Sequence, residues 1–247
     1  MTAAVEVTGL VKEFGGLRAV DGVSLSVPPG ERRVLIGPNG AGKTTLFHCV
    51  TGTLAPTAGR VALFGGDVTR LPEHRRTALG MGRTFQISNV IADLTCRENL
   101  LLAAAGTDAR KWVLHRRITA FEDLARTAQD NLARIGLEHR ADEAVRRLSY
   151  GERRQLELAL ALTSRPRVLF LDEPCAGLSP SERARISRMI AGLPRDLTVL
   201  MIEHDMDVAL GLADRVTVLH RGRVILEGSP GEVQTHPEVR EVYFGHV

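Results

Sequence analysis

A chain of 247 residues can bury a substantial core and suits a single domain with room for a subdomain. Its 44% hydrophobic and 25% charged residues are those of an ordinary globular protein, and no stretch approaches the roughly 18–20 apolar residues that span a bilayer. The net charge of +3 gives no sign of a nucleic-acid partner. From Arg110 to Arg154 there are 11 Lys and Arg against 7 Asp and Glu, enough to supply the whole positive excess. Aromatics are sparse there (Trp112, Phe121, Tyr150), so a solvated helical surface is expected and a base-stacking platform is not. The start, Met1 to Glu6, lacks the basic and apolar regions of a secretory signal. Cys49, Cys96 and Cys175 are far apart and form no CxxC, which points to a reducing compartment without disulfides or a zinc site.

In chain order, Val5–Leu10, Val23–Val27, Arg33–Gly37 and Arg60–Phe64 read as strands, bounded by turn segments such as Pro28-Pro29-Gly30. A helical run follows Thr44 and stops at Gly52. From about Arg97 to Arg147 the pattern becomes helical and charged. Apolar residues recur there at three- and four-residue spacings up to Gly136, which is expected to cap a helix. Val168–Leu171 and Thr198–Ile202 read as buried strands of a parallel sheet. Val216–Leu219 and Val224–Glu227 flank His220-Arg221-Gly222-Arg223 as a hairpin. The expected architecture is an α/β nucleotide-binding core interrupted by a mostly helical insertion.

Chemistry enters with Gly37-Pro38-Asn39-Gly40-Ala41-Gly42-Lys43-Thr44-Thr45, which fits G-x-x-x-x-G-K-[ST] after the apolar strand Val34-Leu35-Ile36. Its glycines let backbone N–H groups wrap a phosphate, and the helix opening near Lys43 turns its positive end towards the anion. Lys43 is expected on the β- and γ-phosphates and the Thr44 hydroxyl on Mg²⁺. A second acidic element, Val168 to Pro174, is a buried strand ending in Asp172-Glu173. Asp172 suits the second magnesium carboxylate of a P-loop enzyme, and Glu173 can orient or deprotonate the attacking water.

Leu148-Ser149-Tyr150-Gly151-Glu152, with Ser149 lying 23 positions before Asp172, is a capping box of the S-x-x-E type. It also resembles the LSGGQ signature of ABC ATPases, and lies upstream of the Asp-Glu-Pro strand as that family requires. The resemblance implies a P-loop core of ABC ATPase type with an N-terminal antiparallel β subdomain and a helical insertion. About 1–90 and 155–247 would form the core and about 91–154 the helical subdomain. It also implies that two subunits face head to tail, so that Ser149, Tyr150, Gly151 and Glu152 of one cap the ATP held by the other. Tyr150 stands in place of the first glycine and Glu152 in place of the glutamine. Tyrosine there is typical of the amino-acid importer branch.

The resemblance assigns further residues. Gln86, 43 residues after Lys43, matches the Q-loop that touches Mg²⁺ and water and senses the membrane partner. His204 matches the switch histidine on the γ-phosphate, and Phe14 the aromatic that stacks on adenine. Ala176 to Pro180 corresponds to the D-loop, with Ser179 where aspartate is common. Cys175 reads as a small buried filler. Its place beside the catalytic strand nevertheless leads one to expect partial protection of the thiol by nucleotide.

Phe14 to Ser24, Arg83 to Gln86, Leu148 to Gly151 and Glu241 to Gly245 look like the ATP-binding subunits of branched-chain amino acid importers. Relatives serving urea, amides or other amino acids, and the lipopolysaccharide-export ATPase, are similar too. The implied protein binds and hydrolyses ATP with Mg²⁺ at the cytoplasmic face of the plasma membrane. Its implied partners are a second, related ATPase, favouring a heterodimer, two permease subunits and, indirectly, an extracytoplasmic binding protein. A soluble ABC ATPase acting on nucleic acid would be expected to carry tandem cassettes or coiled coils, and a GTP switch an N-K-x-D element. Neither pattern occurs in the sequence.

Overall fold

The computed structural model describes residues 2–84, 90–107 and 122–244. Strands β1 (Val5–Phe14), β2 (Leu17–Val27) and β3 (Arg32–Ile36) lead into helix α1 (Lys43–Thr51). Next come β4 (Ala58–Leu63), β5 (Gly66–Asp67), α2 (Glu73–Ala78) and β6 (Met81–Arg83). Helices α3 (Cys96–Thr107), α4 (Glu122–Arg134) and α5 (Tyr150–Thr163) occupy the predicted insertion and its exit. The chain then runs β7 (Val168–Asp172), α6 (Pro180–Ala191), β8 (Thr198–Ile202) and α7 (Met206–Leu212). It closes with β9 (Arg215–His220), β10 (Arg223–Gly228), α8 (Pro230–Thr235) and α9 (Pro237–Phe244).

The strands form two sheets. One is antiparallel with order β2-β1-β4-β5, and the other has six strands in the order β10-β9-β3-β8-β7-β6. In the larger sheet β6, β7, β8, β3 and β9 are parallel, and β10 joins antiparallel at the edge. Every residue of β3, β7 and β8 is buried, as their continuous apolar runs require of strands covered on both faces. β1 and β2 outrun the predicted Val5–Leu10 and Val23–Val27 because their pairing slips at Val7/Leu10, Leu10/Lys12 and Lys12/Glu13. Each slip breaks the two-residue alternation on which strand reading depends.

Three apolar clusters hold these layers. One lies between the two sheets around α1, where Phe47 meets Phe170 of β7 edge to face at 5.6 Å. The second covers the other face of the large sheet beneath α5, α6 and α7. The third joins α3, α4 and the first half of α5, drawing on residues from Cys96 to Ala159. α4 ends with Gly136 at φ +69°, its N–H on the Ala133 carbonyl and the Leu137 N–H on that of Leu132. This is the left-handed helix stop for which glycine is favoured. The three cysteines are free and buried. Among the described residues, no helix is long and apolar enough to cross a membrane.

Candidate nucleotide site

Gly37, Glu173 and His204 each follow the carboxyl end of a strand, β3, β7 and β8 respectively, and those strands are neighbours. In an open α/β sheet this is the edge where ligands bind. The loop from Gly37 to Gly42 passes directly into α1 at Lys43. Gly42, at φ +99°, caps that helix. A Cβ there would lie 2.3 Å from the Ala19 carbonyl oxygen, so only glycine fits between the loop and β2. The Ala41 carbonyl accepts the Gly222 N–H (2.9 Å), and the Gly222 carbonyl accepts the Asp21 N–H (2.8 Å), fastening the loop to both sheets. At the far end of α1, the buried Arg76 donates to the Cys49 (3.0 Å) and Val50 (2.6 Å) carbonyls. It thereby satisfies acceptors that a helix end leaves open.

Lys43 is buried, and its Nζ donates to the carbonyls of Gly37 (2.6 Å) and Pro38 (3.0 Å) within its own loop. Burial lowers its pKa, with the nearby Glu173 carboxylate acting in the opposite direction. Asp172 is 1% exposed, and neither carboxylate oxygen has a hydrogen-bond partner among the described residues. Burial raises its pKa, helped by the charge of Glu173. Such a bare buried carboxylate is costly unless a cation faces it, so the donor set at Asp172 and Thr44 fits a hard divalent ion.

Glu173 has φ +48°, in the left-handed region. This costs a residue with a Cβ on the order of 1 kcal/mol. The turn sends its side chain away from that of Asp172 and onto His204, with Oε1 2.6 Å from Nε2. Phe14 is 49% exposed, open to stack on a planar group, with Lys12 Nζ 5.1 Å from its ring centre. Gln86, also expected here, lies outside the described residues.

The signature segment stands at the amino end of α5. Ser149 and Glu152 form the predicted capping box: Glu152 N–H to Ser149 Oγ at 3.2 Å and Ser149 N–H to Glu152 Oε2 at 2.8 Å. Ser179 and Glu182 form a second such box at α6, so the serine in place of aspartate has a structural task of its own. The two helix starts interlock, since a Cβ at Gly151 would lie 2.3 Å from Glu182 Oε1. Tyr150, 49% exposed, donates to the Ala176 carbonyl at 3.4 Å and accepts from Arg154 at 3.0 Å. It therefore bridges the signature to the loop after Glu173.

Sequence reading passed over Glu203, which is only 2% exposed. Its Oε1 accepts the Cys175 N–H (3.0 Å) and its Oε2 the His204 N–H (3.1 Å), so one carboxylate ties the segment after Glu173 to the segment bearing His204. Arg183 of α6 pairs with Asp205, the cap of α7, and closes the same region from outside. The only signal in the sequence was a carboxylate directly after a buried strand. Glu203→Ala is expected to lower stability by on the order of 1–3 kcal/mol, since it strands two amides. It should also reduce kcat for ATP at least tenfold with little change in KM, and Glu203→Gln should recover part of the loss. Steady-state kinetics with thermal melts check this, and an unchanged kcat in the alanine variant would dismiss the role.

Cys175 is a buried filler, as its sequence context suggests, and that burial bears on its expected protection by nucleotide. It is 2% exposed and its thiol is pushed up to about 12 by burial, with the Glu203 charge adding to the effect. A thiol so held is unreactive, and the premise of nucleotide-dependent protection falls.

A phosphate loop at a sheet edge, a bare carboxylate and an exposed aromatic define a P-loop nucleotide-binding domain with a helical insertion. The family model described as ABC transporter matches residues 20–176, and a second, branched-chain amino acid ATP-binding cassette transporter, matches 223–247. BraF of Pseudomonas aeruginosa, a high-affinity branched-chain amino acid transport ATP-binding protein, is 37% identical over 98% of this chain and 97% of its own. LivG of Escherichia coli K12, described in the same words, is 39% identical over 98% and 97%. Among solved structures, the ADP conformation of the ABC transporter cassette MJ1267 superposes with a TM-score of 0.88 at 32% identity, covering 100% of both chains. The chain belongs to the ABC transporter ATP-binding family, and is an ATPase of the kind that powers a membrane transporter.

Proposed function

We propose that this chain is the ATP-hydrolysing subunit of an importer for branched-chain amino acids or related small polar substrates such as amides or urea. The observation that carries the catalytic reading is the contact of Glu173 with His204 beside the phosphate loop. Likeness to BraF and LivG over almost the whole chain carries the choice of substrate class. In this reading the amides from Gly37 to Thr45, with Pro38, Asn39, Gly40 and Ala41 forming the turn, and Lys43 Nζ hold the β- and γ-phosphates. The Lys43 ammonium exchanges its loop carbonyls for phosphate oxygens. Asp172 and Thr44, with Gln86, would hold Mg²⁺, which would supply positive charge to the phosphates. Glu173 orients the attacking water and takes its proton, and His204 both steadies that carboxylate and reaches the γ-phosphate. Phe14 stacks on the adenine.

Ser149, Tyr150, Gly151 and Glu152 lie at a capped helix start and so suit an anion presented by a facing subunit. We assign the facing subunit to a related ATPase, making a heterodimer, docked with permease subunits at the cytoplasmic face of the plasma membrane. About 91–154 then acts as the helical subdomain, with Ser179 on the dimer-facing loop. Lys43→Ala is expected to weaken ATP binding by about 100-fold or more, since a buried charge-assisted contact to phosphate is lost. Titration with a fluorescent ATP analogue reads it, and tight binding by the variant would remove the phosphate-loop assignment. Isolation of the tagged chain from membranes tests the transport reading: permease subunits and a second ATPase should accompany it, and recovery without any membrane subunit would overturn it.

A further inference from the structure

A cavity of about 950 Å³ lies away from the phosphate loop, none of whose residues line it. It opens at the amino ends of β7 and β8, where Arg167 and Thr198 line it, whereas Gly37, Glu173 and His204 stand at the opposite ends of the strands. Its floor is apolar, formed by Ile135, Leu158, Leu162, Met189 and Leu193. Five arginines line it, Arg134, Arg165, Arg167, Arg185 and Arg188, against one acid, Asp196. A volume of this size, apolar below and with a few convergent polar groups, matches sites for small organic ligands.

The arginines have no sufficient structural employment. None forms an ion pair among the described residues. Arg167 lies over the Phe64 ring at 3.7 Å, and Glu182, the acid nearest to Arg185 along its helix, feels the Arg185 charge but accepts hydrogen bonds from Ser179. Arg134 and Arg188 stand in the last turns of α4 and α6, where the helix dipole favours a cation; Arg167 and Arg185 have no such reason. Arg165 follows the end of α5 at φ +50°, and Phe64 in the wall has φ +51°. Glycine would hold both turns without strain, so these side chains are kept at a cost.

We propose that this cavity is a binding site for an amphipathic organic anion, its apolar body on the Leu158–Met189 floor and its phosphate, sulfonate or carboxylate among the arginines. The position gives such a ligand a route to the nucleotide site. α5 and α6 both end at the cavity and begin at Ser149 and Ser179, and Arg134 and Ile135 at the end of α4 form its other wall. A bound anion bridges the helical insertion to the sheet and biases the angle between them by its differential affinity for the two arrangements. The existence of the site does not rest on the transport reading.

The test uses the full chain and 1-anilinonaphthalene-8-sulfonate, an aromatic anion that fluoresces in apolar surroundings. Saturable one-to-one binding is expected. It should weaken about tenfold or more in the exposed double variant Arg185→Glu/Arg188→Glu, and be lost in Met189→Trp, which fills the floor. Neutral N-phenyl-1-naphthylamine should bind at least about tenfold more weakly than the anion and ignore the charge reversal. Lys43→Ala, which loses ATP, should keep the probe, so failure of the phosphate-loop reading and failure of this one are told apart. Probe binding unchanged by the charge reversal, equal binding of the neutral compound, or displacement of the probe by ATP overturns the proposal.

Discussion

Glu173→Gln should leave ATP binding at the parent level while cutting hydrolysis in the assembled complex by about 10²–10⁴-fold, the usual weight of a positioned general base. The two properties separate because the residues assigned to phosphate and the residue assigned to water follow different strands. Lys43 and the loop amides follow β3, whereas Glu173 follows β7 and reaches His204. Glutamine keeps the size and a hydrogen-bonding oxygen for His204 but cannot accept the proton that leaves water. It also keeps a Cβ at φ +48°, so the backbone strain is the same in parent and variant. The variant should therefore accumulate in its ATP-bound form, and if that form is a dimer its mass will double on adding ATP. Phosphate release and ATP-dependent sedimentation are the measurements; hydrolysis at the parent rate would take the base role from Glu173.

The parts of the site legible in the sequence are those made of neighbours in the chain. Gly37 to Thr45 needs one strand end and one helix start, and both were visible in the apolar run before it and the helical run after it. Asp172-Glu173 was legible for the same reason, ending a continuous apolar strand, whereas His204 was assigned through the family resemblance and the order of the motifs. What could not be read depends on two segments meeting. Glu203 looks like one more polar residue at a strand end until the fold brings the Cys175 amide to it. Gly151 reads as the retained glycine of a signature motif, and only the fold shows Glu182 arriving from α6 to 2.3 Å of where a Cβ would stand. The reach of β1 to Phe14 was hidden by its bulges, and the helical side of the cavity is assembled from three helix ends with no shared pattern. Cys175 is the buried filler its sequence context suggests, and the expectation of its protection by nucleotide overlooked that burial.

Asp172→Asn should make the nucleotide-free protein more stable and at the same time remove most of the stabilisation that Mg-ATP confers. In the fold, burial and the Glu173 charge disfavour the ionised carboxylate and raise its pKa above the unfolded value. Linkage fixes the sign: for a raised acid, stability is fullest below the unfolded pKa and is lost as pH rises through the folded one. At neutral pH the parent therefore carries a penalty that asparagine lacks. A gain of roughly 1 kcal/mol would raise the melting temperature of a chain this size by about 2–4 °C. The gap should narrow as pH falls into the carboxylate range, because the parent's Asp172 then becomes neutral too. With saturating Mg-ATP the order should reverse. Ligand at 100 times its dissociation constant adds about 2.7 kcal/mol to a protein that binds it, and the variant has lost the buried Asp172 carboxylate, which has no hydrogen-bond partner among the described residues. Thermal melts with and without Mg-ATP, from acid to neutral pH, read all three effects. A variant less stable than the parent without ligand would mean that Asp172 holds the fold together through contacts of its own.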